Sequence, residues 1–280
     1  MNKKFFAGSD AVDSILKIAR STNVKLIDKA KRINSASYAD YEPWMSIPEF
    51  MKPSQLILKL PSKKGRFLNS SSLIEIDQLL KSLGQGHENI PSKESYNLRV
   101  CLVNKDELDH FNSRLKDAED ELILILPFFE SLIHELIQFY IPMENPSDEH
   151  AFDYGMSVMW LKGAVFFEKT QFPDLQRRVE NLAHELAHQI IIHYQLNNFL
   201  IEGDLNTKVY SGIRKKNRPA VLSFHGAAAL SYMLLVAKAY SNQERMNELK
   251  TALRNTLDSL KGVSFTPVGN KLFEEMHEFL

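Results

Sequence analysis

Net charge is almost absent from this sequence: 34 Lys and Arg stand against 35 Asp and Glu, leaving a formal charge of -1. Without a global field, neither nucleic acid nor an anionic membrane surface is an expected partner. Cysteine is nearly absent too, and the single Cys101 can form no internal disulfide. The start, MNKKFFAGSDAVDS, has a basic beginning but only a brief apolar run before Asp10 and Asp13, so it does not read as a secretory signal. Apolar runs such as LILILPFF fall far short of the ~20 residues that span a bilayer. Internal repeats and low-complexity tracts are lacking as well. These absences point to a cytoplasmic globular protein with no membrane segment. What the chain does have is core material: 44% hydrophobic and 10% aromatic residues in 280, enough for one large domain or two small ones.

Along the chain, AVDSILKIARST reads as a helix, the proline-bearing YEPWMSIPEFMKPS as irregular, and QLILKL as a strand. SSSLIEIDQLLKSLG has the form of a helix with a Ser cap and a Gly stop, and YNLRVCLV alternates like a strand. DELILILPFFESLIHELIQFYIP is apolar nearly all round, so a buried helix is expected, kinked or restarted at Pro127. The polar PMENPSDEH marks a boundary near residue 148. It separates a helical and mixed N-terminal region, 1–148, assigned to holding substrate, from a region at 149–280 that carries the chemistry.

In that second region, SVMWLKGAVFFEKT suggests a hairpin turning at Lys162 and Gly163, followed by a long helix. A second long helix begins near Pro219, NQERMNELKTALRNTLDSLKG makes an amphipathic third, and a short helix follows FTPVG. The expected fold is α+β, mainly helical with a small antiparallel sheet.

The long helix contains ENLAHELAHQIIIH, in which His184 and His188 bracket Glu185 in the pattern H-E-x-x-H. Residues four apart on a helix lie ~6 Å apart along the axis and share a face, so the two imidazoles can converge on one ion. The apolar stripe of Leu175, Val179, Leu182, Leu186 and Ile190 lies on the opposite side. A partial copy, LIHELIQF, has His134 and Glu135 but Gln138 where the second histidine should stand, and His134 reads as structural.

Zinc hydrolysis is the first chemistry the motif suggests, with Glu185 as the base that takes a proton from metal-bound water. The third ligand is the difficulty. Ile191 and Tyr194 stand where a metzincin has glycine and histidine, and Glu202, the nearest glutamate for a gluzincin, sits in the loop-like FLIEGDLN. His225, on the second long helix and followed by Gly226, Ala227, Ala228 and Ala229, is another candidate, since small residues let two helices approach closely. Just before it, IRKKNRP places Arg214 and Arg218 in a loop at a helix start. They form either a solvated basic turn or a clamp for a dicarboxylate, which guanidinium grips bidentately.

Taken together, GAVFF before VENLAHELAHQ, then YSGIR, then RPAVLSFHGAAAL and more weakly SFTPVGNKLFEEM, resemble a family: the HExxH-containing, 2-oxoglutarate-dependent peptide beta-hydroxylases that modify ribosomally made peptides. The resemblance covers roughly residues 155–275. This chain departs from it at Gly212 and Ile213, where the family usually has proline and tryptophan. The resemblance implies Fe(II) held by His184, His188 and His225, with 2-oxoglutarate anchored by Arg214 or Arg218, dioxygen as oxidant, and a precursor peptide as substrate. Glu185 then becomes an orienting group or a ligand rather than a water-activating base. The arm GAVFFEKT is a candidate for pairing with an extended peptide, or else an ordinary sheet strand.

Overall fold

Pro127 ends one helix and allows the next to begin, because it lacks the N–H that a helix interior requires. In the computed structural model of the chain, α3 (Lys105–Ile125) stops just before it and α4 (Phe129–Leu136) starts just after. The structure describes residues 4, 6–33, 66–84, 101–143, 155–157, 159–169, 174–204 and 206–280. The expected irregular stretch at 41–54 and strand at 55–60 lie outside them, as does most of the strand expected at 96–103. Its described part, from Cys101, is not a strand, although the Cys101 N–H donates to the Pro142 carbonyl at 2.9 Å.

The expected mainly helical α+β class is what the chain adopts. Ahead of α3 come α1 (Val12–Ile33) and α2 (Ser70–Gly84). The α2 cap is Asn69 rather than a serine, its Oδ1 accepting from the Ser72 N–H at 2.9 Å. A reciprocal capping pair opens α3: the Glu107 N–H donates to Asn104 Oδ1, and the Asn104 N–H to Glu107 Oε2, each at 3.0 Å.

The apolar run across Pro127 is less uniform than expected. Leu122 is fully buried but Leu124 is 74% exposed, and the run's last residues form a strand, β1 (Phe139–Met143), rather than helix. A short run buried on both faces has no period that separates the two.

Strand β1 pairs in parallel with β3 (Ala164–Glu168), whose other edge pairs antiparallel with β2 (Gly155–Ser157). The sheet is therefore mixed, not antiparallel throughout. The hairpin turn falls at Lys162 and Gly163 as expected, with Gly163 at φ 87, but Met159–Leu161 form a turn of 3-10 helix where strand was expected. Because β3 is the central strand, with both edges taken, it cannot receive a substrate peptide by strand addition, and the ordinary reading of GAVFFEKT holds.

The chain divides into two compact units that interleave in sequence. One comprises Met1–Thr22, Ala118–Leu136 and Asp174–Leu280; the other comprises Asn23–Asp117 and Ile137–Pro173 and holds the sheet. Neither ends near residue 148.

The first unit contains α5 (Leu175–Asn197), which packs along α6 (Ala220–Ala239), which in turn packs on α7 (Gln243–Leu260). The final helix, α8 (Pro267–His277), starts within FTPVG, capped by Thr266. Among the described residues α6 alone is long and apolar enough to cross a membrane by length and composition, yet 78% of that window is buried inside the protein, as in a core helix. The stretch expected to be a loop before it is a hairpin of β4 (Lys208–Ser211) and β5 (Lys216–Pro219).

Candidate metal centre

Helix α5 is anchored at its start by Asp174, whose side chain accepts from the Arg177 N–H at 2.8 Å. Two turns on, buried Glu180 binds Arg177 at 3.2 Å and Arg245 of α7 at 3.0 Å, fixing the helix against its neighbour. Val179, Leu182, Leu186 and Ile190 are wholly buried and Leu175, in the first turn, is half-buried, so the predicted stripe packs from Val179 onward and leaves His184 and His188 on the other face.

There the two rings stand edge to face with centroids 4.7 Å apart and Nε2 atoms separated by 3.0 Å. Two bonds of about 2.1 Å to a common ion hold cis nitrogens about 3.0–3.4 Å apart, so the pair is spaced for chelation. Glu185 is buried and puts Oε1 3.7 Å from His184 Nε2. Among the described residues, the ligand atoms of His184, Glu185 and His188 all lie within 4.8 Å of one another.

His225 reaches this centre from α6, but it does not join that group of converging ligand atoms. Its Nδ1 lies 3.4 Å from His188 Nδ1, on the edge of the ring turned away from His184. Glu202 is exposed in a loop and His134 exposed on α4, so neither supplies a ligand here.

Two contacts were not read from the sequence. The Nδ1 of His184 lies 3.4 Å from Met233 Sδ, and the Nε2 of His225 lies 3.0 Å from Gln195 Oε1. The available signal was Gln195 itself, a polar residue two helical turns beyond His188 on the same face of α5.

The basic hairpin is held over this face by its backbone. The Gly212 N–H donates to Thr256 Oγ1 of α7 at 2.8 Å, and Ser259 Oγ donates to the Tyr210 carbonyl at 2.7 Å. A Cβ on Gly212 would collide with the Ala252 carbonyl and meet Thr256 Oγ1 at 2.8 Å. Gly212→Ala should therefore destabilise the protein by about 1–3 kcal/mol, seen as a lower urea midpoint at unchanged slope; an unaltered midpoint would contradict the close approach. Gly226 likewise faces the hairpin, where its Cβ would touch Ile213 and Ser211, rather than serving the approach to α5 that its small size suggested.

So held, the hairpin brings two guanidinium charges to bear on the histidines. Burial and then Arg214 lower His184 to about 3, and burial and then Arg218 lower His225 to about 4. Burial, the two neighbouring histidines, and then Arg214 and Arg218 hold His188 well below the usual imidazole range. All three are neutral near pH 7, as ligation requires.

In the unfolded chain the rings of His184 and His225 protonate near 6.5, so between that pH and about 3 to 4 the unfolded state binds protons that the folded state refuses. Metal-free protein should hold this contribution above 6.5 and lose roughly 1 kcal/mol per pH unit for each histidine as the pH falls through the window. Urea unfolding at pH 7 and 5 measures it, and His184→Gln should flatten the slope. A profile identical to that variant's would contradict the assignment.

No protein-family model matches the chain, and no curated protein matches it significantly. The functional reading therefore rests on the residues themselves.

Proposed function

We propose that this protein is an Fe(II)- and 2-oxoglutarate-dependent oxygenase that hydroxylates a side-chain carbon of a ribosomally made peptide. The observation that carries the reading is the chelating spacing of the His184 and His188 imidazoles, Nε2 atoms 3.0 Å apart, on a helix packed against α6, which also packs on the hairpin that bears Arg214 and Arg218. Positive charge that acts on a cation site makes an anionic partner for the metal favourable. A dicarboxylate is such a partner: one end shares the ion and the other takes a bidentate guanidinium.

His184 and His188 would hold the iron, with the Glu185 carboxylate beside them. Bound Fe(II), with 2-oxoglutarate and dioxygen, supplies an oxidant that replaces a C–H hydrogen by hydroxyl, giving succinate and carbon dioxide as co-products. The chain's own part is to keep both imidazoles neutral and convergent, to orient the cosubstrate through its arginines, and to enclose the centre between α5, α6 and the hairpin.

The second reading, a zinc peptidase, is favoured by the position of Glu185, 3.7 Å from His184 Nε2, where its carboxylate could act as base toward water if zinc were held there. Glu185→Gln separates the two. In a peptidase it should keep the metal and lose peptide cleavage by about 100-fold or more. In an oxygenase the wild type cleaves no peptide bond. Fragments from a panel of unstructured peptides, formed by wild type and not by Glu185→Gln, would overturn the oxygenase reading.

A further inference from the structure

The three histidines form a chain rather than a ring, and the hydrogen-bond chemistry along it has a direction. It starts at Gln195, whose carboxamide oxygen faces His225 Nε2 at 3.0 Å. A carbonyl oxygen only accepts, so Nε2 carries the proton of the neutral His225 ring and Nδ1 carries a lone pair. That Nδ1 faces His188 Nδ1 at 3.4 Å, a contact that is favourable when His188 donates. With its proton on Nδ1, His188 presents an Nε2 lone pair toward His184 Nε2, 3.0 Å away.

We infer that Gln195 and His225 are positioning residues: Gln195 fixes the tautomer of His225, and His225 fixes that of His188, so that His188 offers Nε2 to the metal. His225 thus acts on the metal through His188 and is not itself the third ligand. The inference rests on the proposed metal centre for its purpose, but the tautomers it assigns are properties of the metal-free chain. Polar groups that hold the outer nitrogen of a ligating histidine are commonly worth 10- to 100-fold in metal affinity.

The test is a two-bond proton–nitrogen correlation spectrum of the imidazoles in the full-length, metal-free protein at pH 7.5, with signals assigned by single histidine substitutions. The expected spectrum has His225 protonated on Nε2 and His188 on Nδ1. Gln195→Leu should convert both rings to tautomer mixtures and weaken Fe(II) binding about 10- to 100-fold. Gln195→Glu, which keeps an acceptor, should preserve both tautomers and bind Fe(II) within a few-fold of wild type. A wild-type His225 protonated on Nδ1, or Gln195→Leu with both tautomers intact, would overturn the relay, and the wild-type spectrum decides even if the leucine variant fails to fold. Both expected tautomers in a protein that takes up no Fe(II) would support the relay while overturning the metal centre of the proposed function.

Discussion

His184→Ala or His188→Ala is expected to abolish stoichiometric Fe(II) binding. The two rings are the nitrogen donors whose Nε2 atoms face one another, at 3.0 Å, and either ring alone is a monodentate ligand that water displaces. Where a whole site is worth roughly 10–16 kcal/mol, removing one of its few ligands costs at least ~4 kcal/mol, about a thousand-fold in affinity. Anaerobic titration with Fe(II), read by calorimetry, measures this. His134→Ala is the matched control, because that exposed histidine belongs to the partial motif on α4, and it should bind iron like the parent. Equal loss from all three variants would indicate damage to the fold rather than to a site.

The second large effect is expected at the hairpin. Arg218→Ala, and to a lesser degree Arg214→Ala, should raise the concentration of 2-oxoglutarate required by about 30-fold to several thousand-fold, which corresponds to ~2–5 kcal/mol for loss of one desolvated charge-assisted pair. Iron binding without 2-oxoglutarate should persist, because both guanidinium groups repel the cation. Arg218→Lys should fall between, keeping the charge but not the planar bidentate fork. Unchanged 2-oxoglutarate affinity in both alanine variants would remove the clamp from the account.

The chelating pair was legible because helical spacing alone puts His184 and His188 on one face, and four of the stripe residues opposite them are fully buried. The hairpin of Arg214 and Arg218 was not legible as a hairpin. Its two strands are only four residues each and mostly polar, and the hairpin is tied to α7 through Gly212, Thr256 and Ser259, contacts that no local pattern announces. The placement of His225 could not be read either. Small residues on α6 predict that two helices come close, but not which edge of a ring the third histidine meets. That edge depends on side-chain rotation, as does the bond from Gln195. The strand at Phe139–Met143 was missed for a different reason: all five residues are buried, and an unbroken apolar run carries no period.

The central claim is that the iron and 2-oxoglutarate occupy one site, and the measurement closest to it is the visible absorbance of the anaerobic protein as 2-oxoglutarate is added to its Fe(II) form. Chelation of the iron by the oxoacid should produce a charge-transfer band that saturates at one equivalent per chain. On admitting air with a peptide substrate the band should bleach, with succinate released and the peptide gaining about 16 Da, the mass of one added oxygen atom. Protein that binds Fe(II) through His184 and His188 yet shows no such band at saturating 2-oxoglutarate would contradict the account.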